Sequence, residues 1–209
     1  MKTDCYSEKP VQIVVNGRAT LTLMTHADDF RDLVTGALYT ERVIETIADV
    51  ESVICEGSQV SVVTKNPYAI LLSRKTVLAG CGGASSFLDS GKLGHVHATA
   101  QPADADIASA CAAVGPCPWF AGGLFAAGGR EISRAEDISA QNVFDRLIGH
   151  ALTEGVDFSS TFAVLKGNLT VESVRKAVIA GIPVLAVCGA ATSAALATAE
   201  AAGLLIVFR

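Results

Sequence analysis

Two periods of hydrophobic positions alternate along the chain. Residues 11–15 and 20–24 repeat every second position and flank Asn16-Gly17, whose positive φ angles suit a type I′ turn, so the start is predicted to be a β-hairpin. A helix is predicted over 28–39, with Asp28 and Asp29 at its N-terminus and Leu33, Ala37 and Leu38 as its apolar stripe. Residues 50–55 and 60–64 predict two strands around Gly57-Ser58, and another apolar run covers 68–72. The C-terminal part alternates more regularly. It predicts helices over 141–151, 170–180 and 192–202, and strands over 162–165, 183–187 and 204–208. Thr170 and Thr192 are placed as N-caps, and Gly181 and Gly203 as C′ glycines. Strands separated by helices of about ten residues form right-handed crossovers onto a parallel sheet, an α/β arrangement. Between 80 and 129 only 104–114 predicts a helix. The glycine pairs Gly82-Gly83, Gly122-Gly123 and Gly128-Gly129 predict irregular backbone of the kind that carries sites.

Composition removes several classes. Half of the 209 residues are hydrophobic, 18% are charged and mean hydropathy is +0.42, which excludes a disordered chain. A net charge of −5 leaves no basic footprint for duplex nucleic acid and no basic run for an anionic membrane surface. Residues 177–199 carry no charge and are long enough to span a bilayer, but Gly181, Pro183 and Gly189 divide them into a buried strand and a core helix. Six cysteines are too few for a disulfide scaffold, and the opening Met1-Lys2-Thr3-Asp4-Cys5 has no apolar core of a secretory leader. The expected location is the cytoplasm, with reduced thiols.

Chemistry concentrates at a few positions. Cys81 lies in Gly80-Cys81-Gly82-Gly83-Ala84, where small neighbours leave its sulfur open to a large partner. A free thiol with pKa near ~8.5 is a few per cent thiolate at neutral pH, already a nucleophile. His95 and His97 share one face of an extended segment, yet no His or Cys pair has zinc-finger or ribbon spacing, so no metal site is predicted. His95-x-His97 with Cys117 echoes a zinc-deaminase signature. It lacks the glutamate and the second cysteine that deamination requires. Glu136 and Asp137 read as partners of the following helix dipole. Ligands in open α/β sheets sit beyond the C-terminal strand ends, here Lys166-Gly167-Asn168 and Cys188 to Thr192. Each leads into a helix N-terminus that favours an anionic group such as phosphate.

Several stretches together resemble the FdhD family of formate dehydrogenase accessory sulfurtransferases. They are Val15-Asn16-Gly17; Gly36-Ala37-Leu38-Tyr39-Thr40-Glu41; Glu136-Asp137 with Asn142 and Asp145; Lys166-Gly167-Asn168 with Glu172 and Lys176; Gly181-Ile182-Pro183; and Ala190-Ala191-Thr192-Ser193. The resemblance implies a cytidine-deaminase-like three-layer fold with a mixed sheet over 80–209, plus a smaller hairpin-containing α+β subdomain over 1–79. It implies a homodimer that takes sulfur from a cysteine desulfurase as a persulfide on Cys81. The sulfur passes to the molybdenum bis-guanine-dinucleotide cofactor destined for formate dehydrogenase, and no cofactor is held permanently. Cofactor or guanine-nucleotide contacts are expected at Asn142, Gly167, Asn168, Thr192 and Phe208. Against the family pattern, Ala84 stands for the second loop cysteine, Phe120 for a histidine and Asn168 for an arginine. A second reading is therefore a non-catalytic dimer that binds a nucleotide-bearing cofactor or docks a partner enzyme. A third is an unrelated small-molecule enzyme built on His95 and His97.

Overall fold

The computed structural model describes residues 7–67, 77–78 and 93–209, so Cys5, Cys81, Ala84 and the apolar run at 68–72 lie outside the described residues. The first sheet begins with the expected hairpin. Strands β1 (Lys9–Val15) and β2 (Arg18–Thr25) pair antiparallel across Asn16 (φ 49°) and Gly17 (φ 78°). Helix α1 (Arg31–Thr40) follows. It begins later than the acidic pair suggested, because Asp29 Oδ1 accepts from the Arg31 N–H at 3.0 Å and Asp28 instead pairs with Lys9. Strands β3 (Val50–Glu56) and β4 (Gln59–Thr64) form a second hairpin, and β4 adds parallel to β1. With β5 (Val77–Leu78) the order is β3-β4-β1-β2-β5. Val11, Ile13, Val15, Val60 and Val62 turn inward against Leu33, Val34, Ala37 and Leu38 of α1.

The second sheet is mixed. Strands β6 (Phe120–Ala126), β7 (Glu131–Asp137), β8 (Thr161–Lys166), β9 (Val184–Cys188) and β10 (Leu205–Phe208) take the order β10-β9-β8-β6-β7. The predicted βαβ units supply its parallel part, β8-β9-β10, while β6 runs antiparallel to both β7 and β8. Helix α2 (Asp104–Ala113) covers one face through Ile107, Ala110 and Cys111. Helices α3 (Ala140–Thr153), α4 (Val171–Ala180) and α5 (Ser193–Ala201) supply the core of the other face. Central strands buried on both faces read as continuous apolar runs, as Thr161–Lys166 and Val184–Cys188 do. The uncharged stretch at 177–199 divides into the end of α4, strand β9 and α5. Among the described residues no helix is long and apolar enough to cross a membrane.

The glycine-rich segment is where the expectation fails. Gly122 and Gly123 are not loop residues; they lie inside β6. A Cβ at Gly122 would stand 2.7 Å from Val143 Cγ1 and 2.9 Å from the Val164 carbonyl oxygen, and one at Gly123 would stand 2.6 Å from the Phe125 ring. These glycines are packing residues: Gly122 lets α3 lie close on one face of the sheet, and Gly123 leaves room on the other for Phe125 and Val114. Two adjacent glycines at the centre of β6 interrupt its period-2 pattern, which hid the β6-β7 hairpin.

The two sheets are joined through α1 and α3, whose backbones touch. A Cβ at Gly36 would fall 1.8 Å from the Asp145 carbonyl oxygen, and one at Gly149 would fall 1.9 Å from that of Asp32. Beside this crossing lies a buried charge cluster. Lys176 Nζ donates to Asp145 Oδ1 and Oδ2 at 2.7 and 2.9 Å and to Thr40 Oγ1 at 2.9 Å, and Thr40 Oγ1 donates to Asp145 Oδ1 at 2.8 Å. Arg175 donates to the Thr40 carbonyl at 2.8 Å and pairs with Glu41 and Glu172. Burial pushes the Asp145 carboxyl up, and Lys176 opposes that shift. Removing one member strands the other charge. Lys176→Met should cost about 3–5 kcal/mol in urea denaturation, and Lys176→Met/Asp145→Leu should recover most of it. Gly36→Ala should cost roughly 1–3 kcal/mol or more, because its neighbour is backbone and cannot rotate away.

Candidate functional site

Strand direction gathers the site at one edge of the second sheet. Phe120 pairs with Asp137, Ala121 with Lys166, Lys166 with Cys188 and Phe208 with Val187. The start of β6 and the ends of β7, β8, β9 and β10 therefore share that edge, and α3, α4 and α5 all begin from it. Ser139 caps α3 by accepting from the Gln141 N–H, and Thr192 caps α5 by accepting from the Ala195 N–H. Thr170 sits at the N-cap of α4 in extended geometry without a side-chain cap bond. Three helix N-termini thus point their free N–H groups toward one rim.

The connections at this rim are tightly laced. The Leu169 N–H donates to the Ala190 carbonyl at 2.8 Å, and the Thr192 N–H returns to the Leu169 carbonyl at 3.1 Å. Gly167 is required here: its φ is 140°, and a Cβ would enter the Phe120 ring at 2.3 Å. Asn168 is exposed and accepts from the Ala190 N–H at 3.2 Å. Of the expected ligand contacts, Gly167, Asn168, Thr192 and Phe208 come together on this rim, and Phe208 is 49% exposed.

Asn142 lies beneath the rim, 3% exposed. Its amide donates to the Met24 carbonyl at 2.7 Å and to Asp137 Oδ1 at 3.0 Å. Asp137, fully buried at the end of β7, also accepts from Thr25 Oγ1 at 2.5 Å. The Glu136-Asp137 pair was expected to serve the helix dipole. Asp137 instead ties the end of β2 to the start of α3, and Glu136 is exposed.

His95 and His97 lie at the opposite edge. The Val96 N–H donates to the Ala202 carbonyl, just before β10 begins, and both histidines line a cavity of about 340 Å³ with Asp157, Ser159 and Gly181. Among the described residues no group of three or more His, Cys, Asp or Glu side chains could hold a metal ion. Nothing brings the histidine pair to the rim.

The residue reading missed a second feature of the rim. In β8, Phe162 and Val164 face α2; in β9, Val184 and Ala186 do. Continuing the period of two puts Lys166 and Cys188 on the same face at its end. Helix α2 places Cys111 in the apolar cluster that Cys188 packs against, and Cys188, Arg209 and Lys166 all act electrostatically on the Cys111 sulfur. Arg209 also pairs with Asp104 at the start of α2. Burial, reinforced by Cys188, pushes the Cys111 thiol up to about 12. Cys117, just before β6, is raised by burial, and its thiol donates to the Phe120 carbonyl at 3.6 Å. The alternation of 162, 164, 166 and of 184, 186, 188 carried this signal.

Three helix starts along one rim of a mixed sheet define an α/β protein, and comparison with known proteins narrows the class. The chain matches the FdhD/NarQ family over residues 6–209 and belongs to it. Its relatives include proteins named sulfur carrier protein FdhD. That of Nocardia farcinica is 31% identical over 225 residues, covering 96% of this chain and 80% of its own. That of Brucella abortus is 29% identical over 220 residues, covering 96% and 82%. A putative formate dehydrogenase accessory protein from Desulfotalea psychrophila has the same fold, with a TM-score of 0.76 at 20% identity, covering 97% of this chain and 82% of its own.

The thiols here separate by reactivity. Near pH 8, iodoacetamide should alkylate Cys111 about three orders of magnitude more slowly than a free cysteine, with the rate rising about tenfold per pH unit toward pH 12. Exposed Cys55 should label first. Mass mapping of a quenched time course checks both.

Proposed function

We propose that this chain is a sulfur carrier that accepts a persulfide sulfur on Cys81 and delivers it to a nucleotide-bearing molybdenum cofactor during formate dehydrogenase maturation. The observation that carries the reading is family membership along nearly the whole chain among relatives named sulfur carriers; Cys81 is our choice of carrier, on the resemblance of its Gly-rich loop to the family's cysteine loop.

The chemistry asks little of the protein. The Cys81 thiolate attacks the outer sulfur of a cysteine persulfide, a new S–S bond forms at Cys81, and the donor leaves as its thiolate. A cysteine desulfurase is the donor. The guanine dinucleotide is the cargo's handle, and the rim suits it. Helix N-termini at Ser139, Thr170 and Thr192 offer N–H groups to phosphates. Gly167 and Asn168 leave the backbone approachable, and Phe208 offers a flat face for a base. Asn142 acts through Asp137, holding the floor of this rim rather than touching the ligand.

In this reading the α2/sheet/α3–α5 layers are cytidine-deaminase-like, residues 1–79 and 80–209 are the two domains, and the working form is a cytoplasmic homodimer. The alternative is a binding or chaperone-like relative without transfer activity. It is favoured by Phe120 and Asn168, two rim positions where the family carries a histidine and an arginine.

Desulfurase and cysteine should add about 32 Da to tryptic peptide 76–92, and Cys81→Ala should abolish that addition. Absence of the added sulfur with intact GDP binding by calorimetry selects the binding-only reading. Asn142→Leu leaves Asp137 with one donor fewer. It should cost about 1–3 kcal/mol in stability and weaken GDP severalfold, without touching sulfur loading.

A further inference from the structure

We propose that Cys188 and Cys111 form a dithiol that discharges a sulfane sulfur: Cys188 takes it up as a persulfide, and Cys111 displaces it as sulfide, closing a Cys111–Cys188 disulfide. The inference rests on the sulfur-carrier reading for the origin of the sulfur alone.

Four observations place the pair. Cys188 ends β9 opposite Lys166, on the face that α2 covers. Cys111 lies on the buried side of α2, in the apolar cluster that Cys188 packs against, and its thiol feels Cys188. The two thiols differ in access: Cys111 is 8% exposed, whereas Cys188 is part-exposed at the rim. Lys166 and Arg209 place two positive charges around the sulfurs, suited to an anionic persulfide. Burial, reinforced by Cys188, pushes the Cys111 thiol up to about 12, so Cys111 is the slower of the two to react with an outside partner.

The steps balance. A donor persulfide RS–SH and the Cys188 thiol give RSH and Cys188–S–SH; one S–S bond breaks and one forms. Cys111 then attacks the inner sulfur of that persulfide as its proton passes to the departing outer sulfur. The Cys111–Cys188 bond forms, the outer sulfur leaves, and with the two protons it departs as hydrogen sulfide. The two thiols lose two electrons, the sulfane sulfur gains them, and no outside oxidant is needed. A thiol reductant reopens the pair. Where Ala84 replaces the second cysteine of the Cys81 loop, this pair supplies an internal reductant elsewhere on the chain.

The test uses the full, reduced chain with glutathione persulfide under argon, followed by rapid alkylation, digestion and sulfide measurement. Tryptic peptides 93–130 and 177–209 should appear joined, with fragment ions assigning the bond to Cys111 and Cys188 and about one sulfide released per chain. Cys188→Ser should lose both signals. Cys111→Ala should leave about 32 Da on peptide 177–209 and release sulfide at least tenfold more slowly. The wild-type crosslink decides the matter even if a variant folds poorly. Both thiols still alkylating after sulfide release, a bond to Cys117 instead, or wild-type sulfide release from a folded Cys111→Ala would each overturn the proposal. Peptide 76–92, read in the same digest, keeps the two ideas apart. A crosslink without sulfur on Cys81 defeats the carrier reading alone, and sulfur on Cys81 without the crosslink defeats this one.

Discussion

The architecture turns on one buried cation. Lys176 projects from α4 into a space walled by α1 and α3, where its ammonium meets the Asp145 carboxylate and the Thr40 hydroxyl. Such an arrangement holds only if each polar atom is satisfied, because desolvating an ion costs several kcal/mol and attraction repays it only at good geometry. Satisfying it fixes three helices at once. It also leaves α1 and α3 free to approach at Gly36 and Gly149 until backbone meets backbone. A hydrophobic seam of the same volume would tolerate slippage; a three-way ionic contact specifies one arrangement.

That arrangement decides where the chemistry can sit. With α3 and α4 locked, their N-termini are presented in fixed positions along the rim, and Asp137 and Asn142 bind the end of β2 to the floor beneath. The rim then has two sides. On the α3–α5 side backbone N–H groups gather, an environment for phosphates. On the α2 side lie thiols and the cations Lys166 and Arg209, an environment for anionic sulfur. The strand order brings these two environments to one place.

Much of this was legible in the chain. The Asn-Gly hairpin, the two later strands of the first sheet and the C-terminal βαβ units follow from periodicity and caps, because each element's burial pattern is its own. The positions carrying the family resemblance were legible as motifs but not as structure. Thr40, Glu41, Asp145, Glu172 and Lys176 lie up to 136 residues apart, yet Lys176 reaches Thr40 and Asp145 together. Only the fold shows that they are neighbours. The β6-β7 hairpin was hidden because Gly122 and Gly123 break the alternation at the centre of β6. The Cys111–Cys188 contact was hidden because it joins a helix face to a strand face. Cys81, on which the carrier reading depends, lies outside the described residues.

The bare backbones at the α1–α3 crossing also set the mechanics of the molecule. Two helices that touch without intervening side chains have no soft layer to shear, so neither can advance a fraction of a turn past the other without atoms colliding. Relative motion is thereby steered away from this joint, and the first sheet stands as a fixed buttress for the second.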